Sequence, residues 1–382
     1  MEILPRVLLQ PVLKALHPNK VVLLLGARRT GKTYLVKQIM EQSKNKKFLL
    51  LNGEDVEVQR QLMQREVSHY RALTQGYDVV VIDEAQKIPE VGMVLKLMVD
   101  EVKGIRLLVT GSSMFDLKNK LGEPLTGRKK DFLLYPLAQL EYAQIENPIE
   151  RSQLLTDKAI YGCYPELLHQ KTQQQKRDYL RDLVNAYLYK DILALENLRN
   201  ADKLTDLLKL IAWQIGQEVS IEELGRNISM SKNTVERYLD LLTKVFVLFK
   251  VQGYNRNLRK EVVKTKRWYF HDNGIRNAII ANFQPLSQRN DIGMLWENYL
   301  ASERLKVQQY KSIHGTNYFW RTHDRQEIDW VEERDGKLFG YEFEWSESKG
   351  SAKPPKAWKE AYSEATFNVV HQGNFQDFVL RK

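Results

Sequence analysis

A short segment near the start of the sequence has the glycine, lysine and threonine spacing of a phosphate-binding loop. Its residues are Gly26, Ala27, Arg28, Arg29, Thr30, Gly31, Lys32 and Thr33. The glycines let backbone N–H groups turn toward phosphate oxygens, and the start of the following helix adds partial positive charge. A lysine at this position reaches the β- and γ-phosphates, and the hydroxyl of the next residue holds magnesium. The segment therefore predicts a site for ATP and Mg²⁺.

Two adjacent acids, Asp83 and Glu84, follow the apolar run VVVI about fifty residues later. Acids are expected at the carboxyl end of a buried parallel strand, next to a phosphate-binding loop. There Asp83 would bind magnesium through its water shell, and Glu84 would polarise the water that attacks the γ-phosphate. We predict ATP hydrolysis, and not binding alone, because Glu84 has little other use at such a position.

Two further features could complete this chemistry. The apolar run IRLLVT ends in a hydroxyl group, and more follow, at Thr110, Ser112 and Ser113. One of these hydroxyl groups could sense the γ-phosphate. The alternative is that they belong to a solvated turn at the end of the strand. Phosphoryl transfer usually also needs a cation on the transferring group. Arg128 is the candidate, as a sensor or as an arginine finger, and the alternative is a surface arginine in a basic turn.

The C-terminal quarter carries a second set of acids, in the segments RQEIDW and GYEFEW. An Asp, a hairpin and a Glu on the returning strand is how restriction-type nucleases hold a metal ion. The RDGK segment between the strands predicts the hairpin, and strand alternation places Glu327 with Asp329 on one face. Gathered acids repel each other unless a metal ion or an arginine neutralises them. The residues expected at a nuclease-type metal site are Glu297, Asp329, Glu342 and Glu344.

This second pattern lacks the lysine that such nucleases use to activate water, since Glu344 stands where the lysine is expected. Lys349 or Lys353 could reach in from the next loop, and some enzymes of this type cut with glutamate at that position. We nevertheless favour a degenerate, structural domain over an active nuclease, because Glu344 adds negative charge beside an incoming phosphate. An ordinary strand with solvent-facing acids is the third reading.

A helix-turn-helix is predicted between these two regions. Ser220 with Glu223 forms a capping box for the first helix, and Ser231 caps the second. The strands that follow could form a wing, which predicts a winged helix. Winged helices contact DNA or protein. If this one binds DNA, the side chains that contact the bases would be Lys232, Asn233 and Arg237 of the second helix. The segment RNLRKEVVKTKR, with six basic residues and one acid, could contact phosphates.

Composition limits the class of protein. The chain has 382 residues with 43% hydrophobic and 10% aromatic content, as in a globular protein of two or three domains. A single cysteine fits a reducing compartment, and the apolar runs are too short to span a membrane. We therefore expect a cytoplasmic protein without a membrane partner. The net charge of +10 permits double-stranded DNA as a partner without establishing it.

The ordered series LLLGARRTGKT, VVVIDEAQKIP, LLVTGSSMFDL, YGCYPELL, LWENYLASERL and FWRTHDRQEIDWV resembles a group of prokaryotic predicted ATPases of the AAA superfamily. The resemblance implies a P-loop α/β core, a winged helix and a restriction-endonuclease-like α/β domain. This group usually has Glu-x-Lys where the present sequence has Glu342-Phe343-Glu344. AAA-type cores often borrow an arginine from a neighbouring subunit, so a homo-oligomer is a further expectation.

The predicted domain organisation has four parts. An ATPase domain covers residues 1–145, a helical connector 146–210, a winged helix-turn-helix 211–285 and a nuclease-like domain 286–382. Three functions stay open from the sequence. They are an ATPase that moves the C-terminal half on DNA, an ATP-dependent metal nuclease, and an ATP-switched module for protein interaction. We favour the first.

Overall fold

The computed structural model describes residues 4–112, 125–186, 201–254, 266–322, 324–347 and 353–381. It contains two compact units. The first comprises Met1–Pro136 with Lys244–Phe246, and the second comprises Leu137–Thr243 with Val247–Lys382. Among the helices in the described ranges, none is long and apolar enough to cross a membrane.

The first unit is built on a five-stranded sheet in the order β2-β3-β4-β1-β5, in which all the described pairings are parallel. Its strands are β1 Lys20–Leu25, β2 Phe48–Asn52, β3 Val79–Asp83, β4 Arg106–Gly111 and β5 Lys129–Leu133. Its α-helices are α1 Leu9–Ala15, α2 Lys32–Gln42, α3 Val56–Leu62, α4 Val67–Thr74 and α5 Val91–Glu101. This arrangement confirms the predicted α/β core.

The apolar runs of the first unit form its three central strands. Val21 to Leu25 of β1 are buried, as are Val79 to Ile82 of β3 and Leu107 to Val109 of β4. A strand inside a parallel sheet is covered on both faces, which is why these runs are continuous and do not alternate with polar residues. Because the strands are parallel, the residues that follow β1, β3 and β4 gather at one edge of the sheet.

The second unit contains a mixed seven-stranded sheet in the order β12-β11-β10-β9-β7-β8-β6. Its strands are β6 Glu218–Val219, β7 Leu248–Gly253, β8 Lys266–Phe270, β9 Thr316–Arg321, β10 Glu327–Arg334, β11 Lys337–Phe343 and β12 Thr366–Val370. Its first α-helices are α6 Gln139–Tyr142, α7 Pro148–Gln153, α8 Leu155–Tyr161, α9 Gln173–Leu183, α10 Ala201–Trp213, α11 Ile221–Asn227 and α12 Lys232–Lys244. The later ones are α13 Asn273–Ile279, α14 Ile292–Tyr310, α15 Lys356–Ala361 and α16 Phe375–Leu380.

The hairpin predicted from RDGK joins β10 and β11. Asp335 and Gly336 both have left-handed backbone angles, with φ of 49° and 73°, as a two-residue turn between twisted antiparallel strands requires. The strands pair from Arg334–Lys337 back to Trp330–Tyr341. Beyond this register the N–H of Phe343 donates to Asp329, which brings Asp329 close to the residues next to Glu342.

The strands predicted as a wing continue into the sheet of the nuclease-like segment. β7 and β8 are antiparallel neighbours, and β6 adds to β8. On its other side β7 pairs in parallel with β9, through Gln252–Tyr318 and Gly253–Phe319. One sheet thus extends across the predicted boundary at residues 285 and 286, and α10 crosses the one at 210 and 211. The winged-helix and nuclease-like assignments remain predictions.

Candidate functional site

The phosphate-binding loop lies between β1 and α2, at the carboxyl edge of the first sheet. A Cβ at Gly26 would lie 2.2 Å from the carbonyl oxygen of Leu134, so only glycine fits there. Gly31 has φ of 94°, a left-handed conformation, and is the residue from which α2 begins. The two glycines of the sequence pattern therefore serve a close approach and a turn, as the loop requires.

Lys32 folds back over the loop. Its Nζ donates hydrogen bonds to the carbonyl oxygens of Gly26, at 2.9 Å, and Ala27, at 3.0 Å. Burial lowers the pKa of Lys32 to about 8, and the acids Glu84 and Asp83 act in the opposite direction. A buried lysine that is held by carbonyls of the loop lies where it can transfer its hydrogen bonds to phosphate oxygens.

A set of oxygen atoms links the loop to β3 and β4. The Oγ1 of Thr33 lies 3.2 Å from Oδ2 of Asp83. The hydroxyl of Thr110 donates to the other carboxylate oxygen of Asp83. Oxygen ligands of this kind suit Mg²⁺. Thr33 and Asp83, which the sequence paired for magnesium, are thus adjacent.

Glu84 is held by two polar neighbours. The amide of Gln86 donates to its carboxylate, and Ser112 Oγ lies 3.3 Å from the same oxygen. Gln86 also bonds to Ser112, at 2.9 Å. The backbone of Glu84 is left-handed, with φ of 49°, which is strained for a residue other than glycine. The carboxylate is therefore fixed in direction by contacts that leave it without a cationic partner among the bonds described.

Two residues of this site carry no sequence signal of their own. Gln86 lies two residues after Glu84, and nothing in the sequence pattern predicts its contact with Glu84. Arg6 comes from the N-terminal segment and donates to the carbonyl oxygens of Thr30, at 2.5 Å, and Tyr135, at 2.8 Å. Arg6 is buried, and it ties the loop to the segment after β5. Neither residue belongs to a spacing pattern, so contact in space is what identifies them.

Arg128, the cation predicted near the phosphate, lies away from the phosphate-binding loop. Arg128 precedes β5, and its carbonyl accepts from Val21 at the start of β1. It is therefore at the amino edge of the sheet, separated from the phosphate-binding loop by the length of β1, roughly 15 Å. Its Nε lies 2.7 Å from Asp100 Oδ1. The prediction that Arg128 senses the γ-phosphate in its own chain is therefore wrong, because the length of the sheet separates Arg128 from the loop. Ser113 lies outside the described residues.

The second set of acids surrounds an arginine. Arg267, on β8, is buried, and its Nη2 donates to Glu327 Oε2 at 3.0 Å. Its Nη1 lies 3.5 Å from Glu297 Oε1 and 3.6 Å from Asp329 Oδ1. Tyr269 donates to Glu297 at 2.6 Å, and the N–H of Phe343 donates to Asp329 at 2.9 Å. We call Glu297, Glu327, Asp329 and Glu342 the acid cluster.

Burial and mutual repulsion raise the pKa values of Glu297, Asp329 and Glu342. Burial, and then Asp329, raises the pKa of Glu297 well above its ordinary value of 4.5. Burial raises the pKa of Asp329 to about 6, although the Phe343 N–H and Arg267 oppose it. For Glu342 burial comes first and Asp329 second, and the pKa rises to about 8. These three carboxyl groups therefore keep their protons to higher pH than exposed carboxyl groups do.

The arrangement differs from the predicted metal site. Within the described ranges, no group of three or more His, Cys, Asp or Glu side chains could hold a metal ion. The guanidinium of Arg267 lies among the carboxylates, so a cation of the protein occupies the place predicted for the metal ion. Glu344 contributes by raising the pKa of Glu342, and Lys353 is exposed. Lys349 lies outside the described residues.

The helices of the predicted helix-turn-helix are α11 and α12. Ser220 Oγ accepts from the N–H of Glu223, and Ser231 Oγ from the N–H of Thr234, so both predicted N-caps are confirmed. On α12 the proposed reading residues Lys232, Asn233 and Arg237 are all exposed. Lys232 is paired with Glu222 of α11 at 2.5 Å. Most of the basic segment after β7 lies outside the described residues.

Comparison with known families divides the chain into three parts. An AAA domain matches residues 18–143. A domain of unknown function (DUF8612) matches residues 152–286, and another (DUF4143) matches residues 292–380. An AAA domain implies nucleotide binding, which agrees with the loop geometry.

Similar chains occur in bacteria and archaea. An uncharacterized protein of Mycobacterium tuberculosis is 25% identical over 94% of this chain and 78% of its own length. An uncharacterized protein of Methanocaldococcus jannaschii is 21% identical over 83% of this chain and 73% of its own.

Solved structures with some similarity include the RuvB Holliday junction branch migration motor of Thermotoga maritima. It is 18% identical over 63% of this chain and 86% of its own, with a TM-score of 0.31. AMPPCP-bound DnaA from Aquifex aeolicus has a TM-score of 0.30. It is 15% identical over 62% of this chain and 86% of its own. Similarities this low carry no information on activity. The family matches and the relatives together identify the chain as an AAA-domain protein with C-terminal DUF8612 and DUF4143 domains.

Proposed function

We propose that this protein is a magnesium-dependent ATPase. The observation that carries the proposal is the meeting of three elements at one sheet edge. Lys32 folds over the loop there, and Thr33 and Asp83 place oxygens 3.2 Å apart. Each side chain has the chemistry that its role demands, and a plain glycine turn would need none of them.

The roles follow from position and charge. Backbone N–H groups of the segment from Gly26 to Thr33 would bind phosphate oxygens, and Lys32 would exchange its two carbonyl partners for the β- and γ-phosphates. Thr33 would hold Mg²⁺ directly and Asp83 through water. The bound ion would supply charge neutralisation between the β- and γ-phosphates.

Glu84 would orient and polarise the attacking water. Its carboxylate is aimed by Gln86 and Ser112, so these two would be positioning residues. Thr110, which bonds to Asp83, would fix the magnesium ligand in the same way. This network of neutral donors keeps the acids in place without cancelling their charge.

Arg128 would act between subunits, as an arginine finger for a neighbouring copy. Its position at the amino edge, away from its own loop, is consistent with action on another chain. The proposal therefore includes a homo-oligomer. It predicts that the rate of ATP hydrolysis per protein molecule rises with protein concentration in the wild type and not in Arg128→Ala.

We propose further that hydrolysis is coupled to the second unit on double-stranded DNA. The net charge of +10 and the exposed side chains of α12 support this. An active nuclease is the weaker candidate because Arg267 lies in the acid cluster. A protein-interaction module switched by ATP is the other alternative.

The test is the ATP hydrolysis rate of the purified chain, with and without double-stranded DNA, at low and moderate salt. A rise with DNA that Lys232→Ala reduces would support the coupling. Cleavage of DNA that requires a metal ion and is lost in Asp329→Ala would support the nuclease. ATP hydrolysis that DNA leaves unchanged would direct the search to a protein partner.

A further inference from the structure

The backbone at Glu84 is held from both neighbouring strands of the first sheet. On the β4 side, the N–H of Glu84 donates to the hydroxyl of Thr110 at 3.1 Å. On the β2 side, the N–H of Gly53 donates to the carbonyl oxygen of Asp83 at 2.8 Å. This second bond follows directly on the parallel pairing of Asn52 with Asp83. The strained backbone of Glu84, with φ of 49°, therefore lies between two fixed neighbours.

Gly53 leaves no room for a side chain beside Glu84. It is buried, and a Cβ there would lie 2.6 Å from the carbonyl oxygen of Glu84 and 3.0 Å from that of Asp83. Both oxygens belong to the backbone, so the rotation of a flexible side chain could not relieve the overlap. The φ of Gly53 is not positive, so no left-handed conformation calls for glycine here. Space next to Glu84 is what requires it.

The carbonyl oxygen of Glu84 also fixes the residue that aims its carboxylate. It accepts a hydrogen bond from the N–H of Lys87 at 3.0 Å, which closes the 3-10 helix Ala85–Lys87. That helix carries Gln86, whose amide donates to the Glu84 carboxylate. A side chain at the position of Gly53 would therefore displace both the carboxylate and the amide that directs it.

Gln59 in turn holds Gly53. From α3, its Nε2 donates to the carbonyl oxygen of Gly53 at 2.7 Å. The turn between β2 and α3 is closed by the N–H of Asp55, which donates to the carbonyl of Asn52 at 3.0 Å. The side chain of Asp55 then caps α3 by accepting from the N–H of Glu57. Gly53 is thus fixed through both its N–H and its carbonyl group.

We propose that Gly53 and Gln59 are positioning residues for Glu84, which set the direction of its carboxylate for the attack of water on ATP. Gly53 acts by having no side chain, and Gln59 acts by holding the Gly53 carbonyl. The role rests on the proposed ATPase function, because Glu84 has a water to orient only at an ATP site. The contacts of both residues converge on the backbone of Asp83 and Glu84, so their loss should change turnover more than ATP binding.

The experiment measures kcat and KM for Mg²⁺-ATP in the full chain, and ATP affinity by fluorescent-nucleotide titration. We expect Gly53→Ala to lower kcat about tenfold or more, with ATP affinity within about twofold of the wild type. Gln59→Ala should lower kcat about threefold. The matched controls are Gly293→Ala, where a Cβ meets no atom within 4 Å, and Gln61→Ala, whose amide bonds to Glu57 of its own helix. Both controls should match the wild type.

A double substitution separates positioning from a general structural role. If Gly53 acts through Glu84, Gly53→Ala should slow the Glu84→Gln variant by no more than about twofold, because the carboxylate that Gly53 positions is already absent. The same tenfold loss in the wild-type and Glu84→Gln backgrounds would overturn the proposal, since Gly53 would then act on something else.

The outcomes separate this role from the ATPase itself. A wild type that binds ATP but does not hydrolyse it would overturn the ATPase, and the role of Gly53 with it. Hydrolysis by the wild type together with a normal kcat in folded Gly53→Ala would overturn the positioning role alone. If circular dichroism shows that Gly53→Ala does not fold, Gln59→Ala decides. A lowered kcat with unchanged affinity supports the proposal, and a normal kcat contradicts it.

Discussion

Both units gather acidic residues beside a sheet, but they neutralise them differently. In the first unit Asp83 and Glu84 bond to hydroxyl and amide groups of Thr33, Thr110, Gln86 and Ser112. In the second unit Glu297, Glu327 and Asp329 share the buried guanidinium of Arg267. Neutral donors aim a carboxylate and leave its charge available. A buried arginine neutralises the carboxylates that it contacts.

The contrast explains why two acid patterns of similar appearance lead to different conclusions. At the first sheet edge the nearby cation is Lys32, which is bonded to loop carbonyls and can move to a phosphate. At the second, the cation is bonded to the acids themselves. Acids therefore indicate a reactive site only when no buried cation is bonded to them. The following substitutions test this distinction, and they are ordered by the size of the expected effect.

Substitution of the mobile cation should have the largest effect. Lys32→Ala removes the group that would bind the β- and γ-phosphates, so we expect ATP affinity to fall by a factor of about 100 or more. The measurement is a fluorescent-nucleotide titration. The control is Lys37→Ala, an exposed lysine of the same helix, which should bind normally. Tight ATP binding by Lys32→Ala would contradict the assigned role of the loop.

Removal of a neutral donor should have a smaller effect. Gln86→Ala leaves Glu84 with fewer contacts, so the water it polarises would be oriented less well. We expect kcat for ATP to fall about tenfold, with KM nearly unchanged. Lys87→Ala, at the exposed neighbouring position, is the matched control. A tenfold rise in KM with kcat unchanged would show that Gln86 serves ATP binding and does not position Glu84.

A change in the acid cluster should affect stability but not ATP hydrolysis. Burial raises the pKa of Glu342 to about 8 from an ordinary value of 4.5. The native state therefore holds this proton longer than the unfolded state, and the free energy of unfolding decreases as pH rises between these values. Glu342→Gln removes that loss. Its stability relative to the wild type should increase from pH 5 to pH 8, by about 3 kcal/mol.

Thermal unfolding of the full chain at several pH values measures this difference. Glu347→Gln, an exposed acid after the same strand, should show no such pH dependence. A constant difference between Glu342→Gln and the wild type would mean that Glu342 titrates normally, and that the cluster is less buried than the structure indicates.

The sequence predicted the first unit well because its signals are local. The glycines of the loop, the buried strand runs and the acid pair each lie within a few residues, and parallel pairing then brings them to one edge. The hairpin of β10 and β11 was predictable for the same reason. Its turn needs left-handed residues, and Asp335-Gly336 supplies them.

Long-range contacts are what the sequence could not provide. Arg267 lies 62 residues before Asp329 in the chain and meets it only because β7 pairs with β9 across the predicted domain boundary. From the sequence alone, Arg267 belongs to the basic segment RNLRKEVVKTKR, which is predicted to contact phosphates. Arg128 follows the expected order of motifs but lies at the opposite sheet edge. Arg6 is similar, since its bonds to Thr30 and Tyr135 depend on the folded chain.

Glu84 is proposed to activate water at an ATP site where, among the described bonds, no cation is bonded to its carboxylate. The most direct test compares the Mg²⁺-dependent ATP hydrolysis of the wild type, Glu84→Gln and Asp329→Asn. We predict that the wild type and Asp329→Asn hydrolyse ATP at similar rates. We predict that Glu84→Gln binds ATP but hydrolyses it at least about 100-fold more slowly. Equal hydrolysis by Glu84→Gln and the wild type would contradict the proposed role of Glu84.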